Sequence, residues 1–159
     1  MHPSINPEYF RKYVASAATM LTFLVASNVE AQPSVTVVGA SAAPFYQDLG
    51  GQPGVQKIVD RLVKTLLADA RVSATFDGVD MEQLRVRFEE QFCQLSGGPC
   101  TYTGKPMQEI HQDLKINNAQ FNAVVEDLQS AMDACEISSR VQNRLLARLA
   151  SMQRQIVTR

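Results

Sequence analysis

Gly97-Gly98-Pro99 and, shortly after it, Tyr102-Thr103-Gly104-Lys105-Pro106-Met107-Gln108-Glu109-Ile110-His111 form the stretch from which the fold is read. His111 is its most informative residue. The chain holds only one other histidine, His2, which lies in a segment read below as a removable leader. Proline is tolerated at the first helical position, so Pro106 can open a helix. Met107, His111 and Leu114 then fall at i, i+4 and i+7, which puts the imidazole on an apolar stripe. One neutral imidazole can ligate one iron axially. It cannot build a zinc site, which needs three or four protein ligands. On spacing alone, a core histidine with a satisfied hydrogen bond is the competing reading.

Composition sets the frame around that stretch. The chain has 159 residues, 45% of them hydrophobic, and a formal net charge of -1. That is enough for one domain with a real core. Charged residues are dispersed and no basic patch stands out, which argues against a nucleic-acid partner.

The first thirty-one residues differ from the rest. Arg11 and Lys12 precede an apolar run from Val14 to Ala26, 13 residues long. That length suits a signal-peptide core and is short for a membrane span. Val29-Glu30-Ala31 offers small or light residues where a signal peptidase reads, so cleavage is expected after Ala31. An uncleaved anchor is the alternative. Residues 32–44 are small, polar and β-branched without a period, including Val35-Thr36-Val37-Val38, and read as a flexible lead-in. The folded domain is expected over 45–159, exported to the periplasm or secreted, with no membrane attachment after cleavage.

Three cysteines remain: Cys93, Cys100 and Cys135. Cys93 and Cys100 flank the reversal at Gly97-Gly98-Pro99, and an exported chain meets an oxidising compartment. A disulfide across that turn and a pair of unrelated thiols are both open readings. Cys135 is left over. None has zinc spacing.

Outward from the central stretch, periodicity reads as helix throughout. After an opening turn at 46–51, Val55, Ile58, Val59, Leu62, Val63, Leu66 and Leu67 mark one face of a helix of about four turns. Asp80 resembles an N-cap. Leu84, Phe88, Phe92 and Leu95 follow along that helix, which Gly97-Gly98-Pro99 ends. Asn117 with Gln120 resembles a capping box, before a stripe of Phe121, Val124, Val125, Leu128 and Met132. A final helix from near Ser138 carries Val141, Leu145, Leu149, Met152 and Ile156. The class is all-α.

From Tyr46 onward these pieces resemble a truncated haemoglobin, the two-over-two globin family, most similar to its first group. Tyr46-Gln47-Asp48-Leu49-Gly50-Gly51 resembles the family's opening motif. Leu67-Ala68-Asp69 closes the second helix in the family's manner. Phe76 matches the phenylalanine that packs on the haem face. Gly97-Gly98-Pro99, Tyr102-Thr103-Gly104 and His111 resemble the stretch that ends in the proximal histidine. The resemblance covers nearly all of 46–157. It implies haem b, with His111 as the iron ligand and an apolar lining from Phe76, Leu84, Phe88, Phe92, Met107, Ile110, Ile116, Phe121 and Val124. It implies Arg87 as the cation near a propionate, with Arg85 and Lys105 as competitors.

The resemblance also locates a departure. Many first-group members place a tyrosine and a glutamine toward the bound gas, and here those positions are Val63 and Phe88. Leu84 holds the position closest to the ligand in ordinary globins. The expected distal wall of Val63, Leu84 and Phe88 has no hydrogen-bond donor, unless Gln94 or Tyr102 reaches it. A donor would stabilise bound dioxygen by roughly 1.5–3 kcal/mol, so its loss implies about ten- to a hundred-fold faster dissociation. The expectation is therefore a monomeric haem protein that reversibly binds a diatomic gas: oxygen, nitric oxide or carbon monoxide. Nitric oxide dioxygenation, which would call for a reductase partner, or weak peroxidation is the enzymatic alternative. A haem-holding or haem-free relic is the third.

Overall fold

A computed structural model describes residues 43–159. The expected leader, its cleavage point and all but the end of the lead-in lie outside the described residues. Among those residues there is no strand. Seven α-helices and one 3-10 turn make up the all-α fold: α1 (Pro44–Asp48), α2 (Gly51–Ala68), the turn Ser73–Phe76, α3 (Met81–Ser96), α4 (Met107–His111), α5 (Asn118–Asp133), α6 (Ser139–Ala150) and α7 (Gln153–Ile156).

α2 is the centre of the molecule and packs on both α3 and α5. Its apolar stripe explains why. Val55, Ile58, Val59, Leu62, Val63 and Leu66 cover an arc of roughly 140° at 100° per residue, and all six are buried. Fully burying one such side chain contributes about 1.5–3 kcal/mol. Leu67, expected on the same face, falls outside the arc and is 48% exposed. α5 packs in turn on α6, and α3 also meets α6. The pairs α2–α3 and α5–α6 are the two layers of a two-over-two sandwich.

The helix ends follow the local chemistry. The Asp80 carboxylate accepts from the Glu82 and Gln83 amides and starts α3. Gly97 ends it at φ 84°, a left-handed conformation that glycine adopts without penalty. Asn117 and Gln120 form the expected capping box of α5, each side chain bonding the other's backbone N–H.

Three expectations are corrected. The chain is helical from Pro44, one residue inside the expected lead-in, and buries Phe45 and Tyr46 where only a turn was expected. Pro106 stands at the N-cap of α4, so Met107 is its first residue. The last helix is broken: α6 stops at Ala150 and α7 begins at Gln153. Beyond the break the amides of Thr158 and Arg159 donate to the carbonyl of Ile116, at 2.9 and 3.2 Å. α7 thereby closes against α4.

Candidate functional site

The stripes of α3, α4 and α5 do not close completely on one another. They leave a cavity of about 190 Å³ bounded by α2, α3, α4, α5 and the chain around α7. This accounts for the burial along α3, where Phe92 is buried but Leu84 and Phe88 are only partly so. Phe88 and Phe92 lie with ring centroids 5.7 Å apart. The wall is largely apolar. Phe76, Leu84, Phe88, Phe92, Met107, Ile110, Ile116, Phe121 and Val124 all line it, together with His111 and Arg87.

His111 closes α4 and is half-buried. Its Nδ1 stands 2.7 Å from the carbonyl oxygen of Met107. A carbonyl can only accept, so Nδ1 carries the proton and the Nε2 lone pair is the one left for a metal. An imidazole held this way is fixed in orientation.

Val63 is buried in the α2 core, and its neighbour Leu62 is the one that lines the cavity. One residue along a helix turns a side chain by about 100°, which separates core from cavity here. The wall stays apolar at that point.

The three candidate cations differ in position. Arg85 pairs with Asp60 and Lys105 with Glu109, and neither lines the cavity. Arg87 does, while its guanidinium bonds Glu90 at 2.7 Å and the Thr103 hydroxyl. Thr103 in turn donates to Glu90 from its backbone N–H at 3.0 Å and from its hydroxyl. The Thr103 amide, aided by the Arg87 guanidinium, holds the Glu90 carboxyl below the usual carboxylate range, against a smaller effect of burial. This knot fastens α3 to the loop that leads into α4.

Two further ties hold the same loop. Cys93 and Cys100 are joined as a disulfide, with Cα atoms 5.8 Å apart. Tyr102 donates its amide to the Gln94 side chain at 2.5 Å and its hydroxyl to the Lys105 carbonyl at 3.1 Å. Burial pushes the Tyr102 phenol up, with Arg87 opposing and Glu90 adding. Gly104 leaves room for the Tyr102 hydroxyl, since a Cβ there would lie 2.2 Å from it and displace the ring. Gln94 thus serves the loop rather than the cavity, whereas Tyr102 lines it.

Several wall residues were not expected from the sequence: Thr75, Gln91, Gln120, Leu149, Met152 and Ile156 among them. The Thr75 hydroxyl is committed to the Val72 carbonyl at 2.6 Å. The Gln120 side-chain oxygen is committed to the cap of α5. Gln91 keeps step with Leu84, Phe88 and Leu95 along α3, and its polar side chain alone set it apart from that stripe.

The bacterial-like globin family model matches residues 44–158. The chain is 31% identical over 119 residues to the group 1 truncated haemoglobin of Mycolicibacterium paratuberculosis, covering 75% of this chain and 88% of that one. It is 30% identical over 115 residues to that of a Nostoc species, covering 72% and 98%. The crystal structure of truncated haemoglobin from Tetrahymena pyriformis in its Fe(III) form superposes with a TM-score of 0.70 at 27% identity, covering 72% and 98%. By fold and by sequence, the chain therefore belongs to the bacterial-like globins and stands among their truncated haemoglobins, proteins of haem-based gas binding.

Proposed function

We propose that this chain binds haem b through His111 and reversibly binds a diatomic gas there, in a pocket with an apolar distal wall. The observation that carries the reading is the His111 ring on the wall of an apolar cavity, its Nδ1 proton given to Met107. The donor set fits the group: one imidazole nitrogen, apolar faces, and Arg87 as a cation for a propionate. Haem would supply the iron at which the gas binds. The protein's residues do the rest. His111 holds the proximal side, while Leu62, Leu84 and Phe88 keep water away and offer the gas no hydrogen bond. Phe76, Phe92, Ile116, Phe121 and Val124 pack the faces.

The same reading takes the chain as an exported monomer, cleaved after Ala31 and acting in the periplasm or outside the cell. The Cys93–Cys100 bond supports this, since such bonds persist in oxidising compartments. The visible spectrum of the purified full chain tests the function. A Soret band that shifts reversibly on adding carbon monoxide to the reduced protein is expected. A chain that takes up no hemin overturns it.

A further inference from the structure

Gln91 is buried, at 8% exposure, on the wall of an otherwise greasy cavity. Its Nε2 faces two thioether sulfurs, Met107 and Met152, each at 3.5 Å. Thioethers are weak acceptors. A buried amide without a strong partner is costly, so such groups call for an explanation. Gln91 lies one helical turn from Arg87, and both line the cavity. Met107, which it touches, precedes His111 by one turn of α4. A guanidinium and an amide in a row on one helix face make a pair of donors suited to carboxylates.

We infer that Gln91 is a specificity-determining residue of the haem site: its amide donates to a propionate carboxylate of the porphyrin, beside the one assigned to Arg87. This rests on the haem-binding reading above. Before the cavity is filled, the two methionines hold the amide weakly and leave it available. Filling the cavity exchanges soft sulfur acceptors for a charged oxygen, and the Gln91 amide gains a bond of the stronger class.

The test compares two porphyrins that differ only in their carboxylates, hemin and hemin dimethyl ester. The full chain, as wild type, Gln91→Leu and Gln91→Glu, is loaded with each, and release into excess apomyoglobin is followed. Gln91→Leu should release hemin about ten- to a hundred-fold faster, as expected for losing one hydrogen bond to a charged group. Its release of the dimethyl ester should change less than threefold. Gln91→Glu should release hemin at least as fast as Gln91→Leu at neutral pH, because it sets a carboxylate against a carboxylate. Equal acceleration for both porphyrins would reduce Gln91 to a packing residue and overturn the inference, as would no acceleration for either. A wild type that holds neither porphyrin overturns the haem reading itself. A wild type that holds both, with a His111-dependent spectrum, leaves the comparison to decide Gln91 alone.

Discussion

Nδ1 of His111 and the carbonyl oxygen of Met107 are hydrogen-bonded at 2.7 Å across a single turn of α4. The bond fixes the tautomer and leaves the lone pair on Nε2. It depends on α4 keeping its one turn, since donor and acceptor are four residues apart.

His111→Ala should abolish stable coordination of haem iron, because the only other histidine, His2, lies outside the described residues and ahead of the expected cleavage point. Spectra of both proteins loaded with hemin, in ferrous form, measure this. Identical spectra and identical haem retention would sink the assignment. Adding free imidazole to the variant should restore a histidine-like spectrum.

Leu84→Gln should place a donor on the cavity wall and slow dioxygen dissociation by about tenfold, the factor that ~1.5 kcal/mol represents. Carbon monoxide dissociation should change much less, because its bound form gathers little charge. Val63→Tyr should instead overpack the α2 core and cost about 1–3 kcal/mol of stability, since Val63 is 1% exposed and off the cavity wall. Stopped-flow ligand replacement and chemical denaturation check the two claims separately. A wild type that already releases dioxygen very slowly would reveal a donor on the distal side.

Those outcomes bear on what could be read from residues alone. α2, α3 and α5 were legible because each repeats apolar side chains every 3.6 residues over four or more turns. α1 was not, because five residues are too few to show a period. The break between α6 and α7 was hidden for the opposite reason: Leu145, Leu149, Met152 and Ile156 keep helical spacing straight across it. His111 stood out by scarcity. Gln91 did not, because its side chain is polar, although it falls on the stripe of Leu84, Phe88 and Leu95. Val63 and Leu62 are both apolar, and only the geometry of α2 tells which of them meets the cavity.

Reducing the Cys93–Cys100 bond should lower stability by about 2.5 kcal/mol, the chain-entropy value for closing a loop of this size. Denaturant unfolding with and without a thiol reductant measures it, with Cys93→Ser/Cys100→Ser as the control that should not respond to reductant. Equal midpoints for the oxidised and reduced wild type would show that the bond leaves stability unchanged.

Stability should also depend on Asp127. This carboxyl is buried on α5, and its Oδ2 has no hydrogen-bond partner among the described residues. Burial pushes its pKa up, the Asp69 carboxylate adds to that, Arg71 opposes it, and Glu126 adds a little. The folded chain therefore holds this proton to higher pH than the unfolded chain, whose value is about 3.9. Between the two values the native state binds more protons, so stability falls as pH rises through the folded pKa. Asp127→Asn should remove that fall: the variant gains on the wild type at neutral pH and loses the advantage near pH 4. An unchanged difference between variant and wild type at the two pH values would show that Asp127 carries no such linkage.

The bonds from the Thr158 and Arg159 amides to the Ile116 carbonyl tie residues 158–159 to the loop before α5, where Ile116 lines the cavity. α7 is four residues long, too short to persist without its neighbours, yet Ile156 on it forms part of the cavity wall. Loss of the Thr158 and Arg159 amide hydrogen bonds would leave every cavity side chain in place and still unfasten that wall.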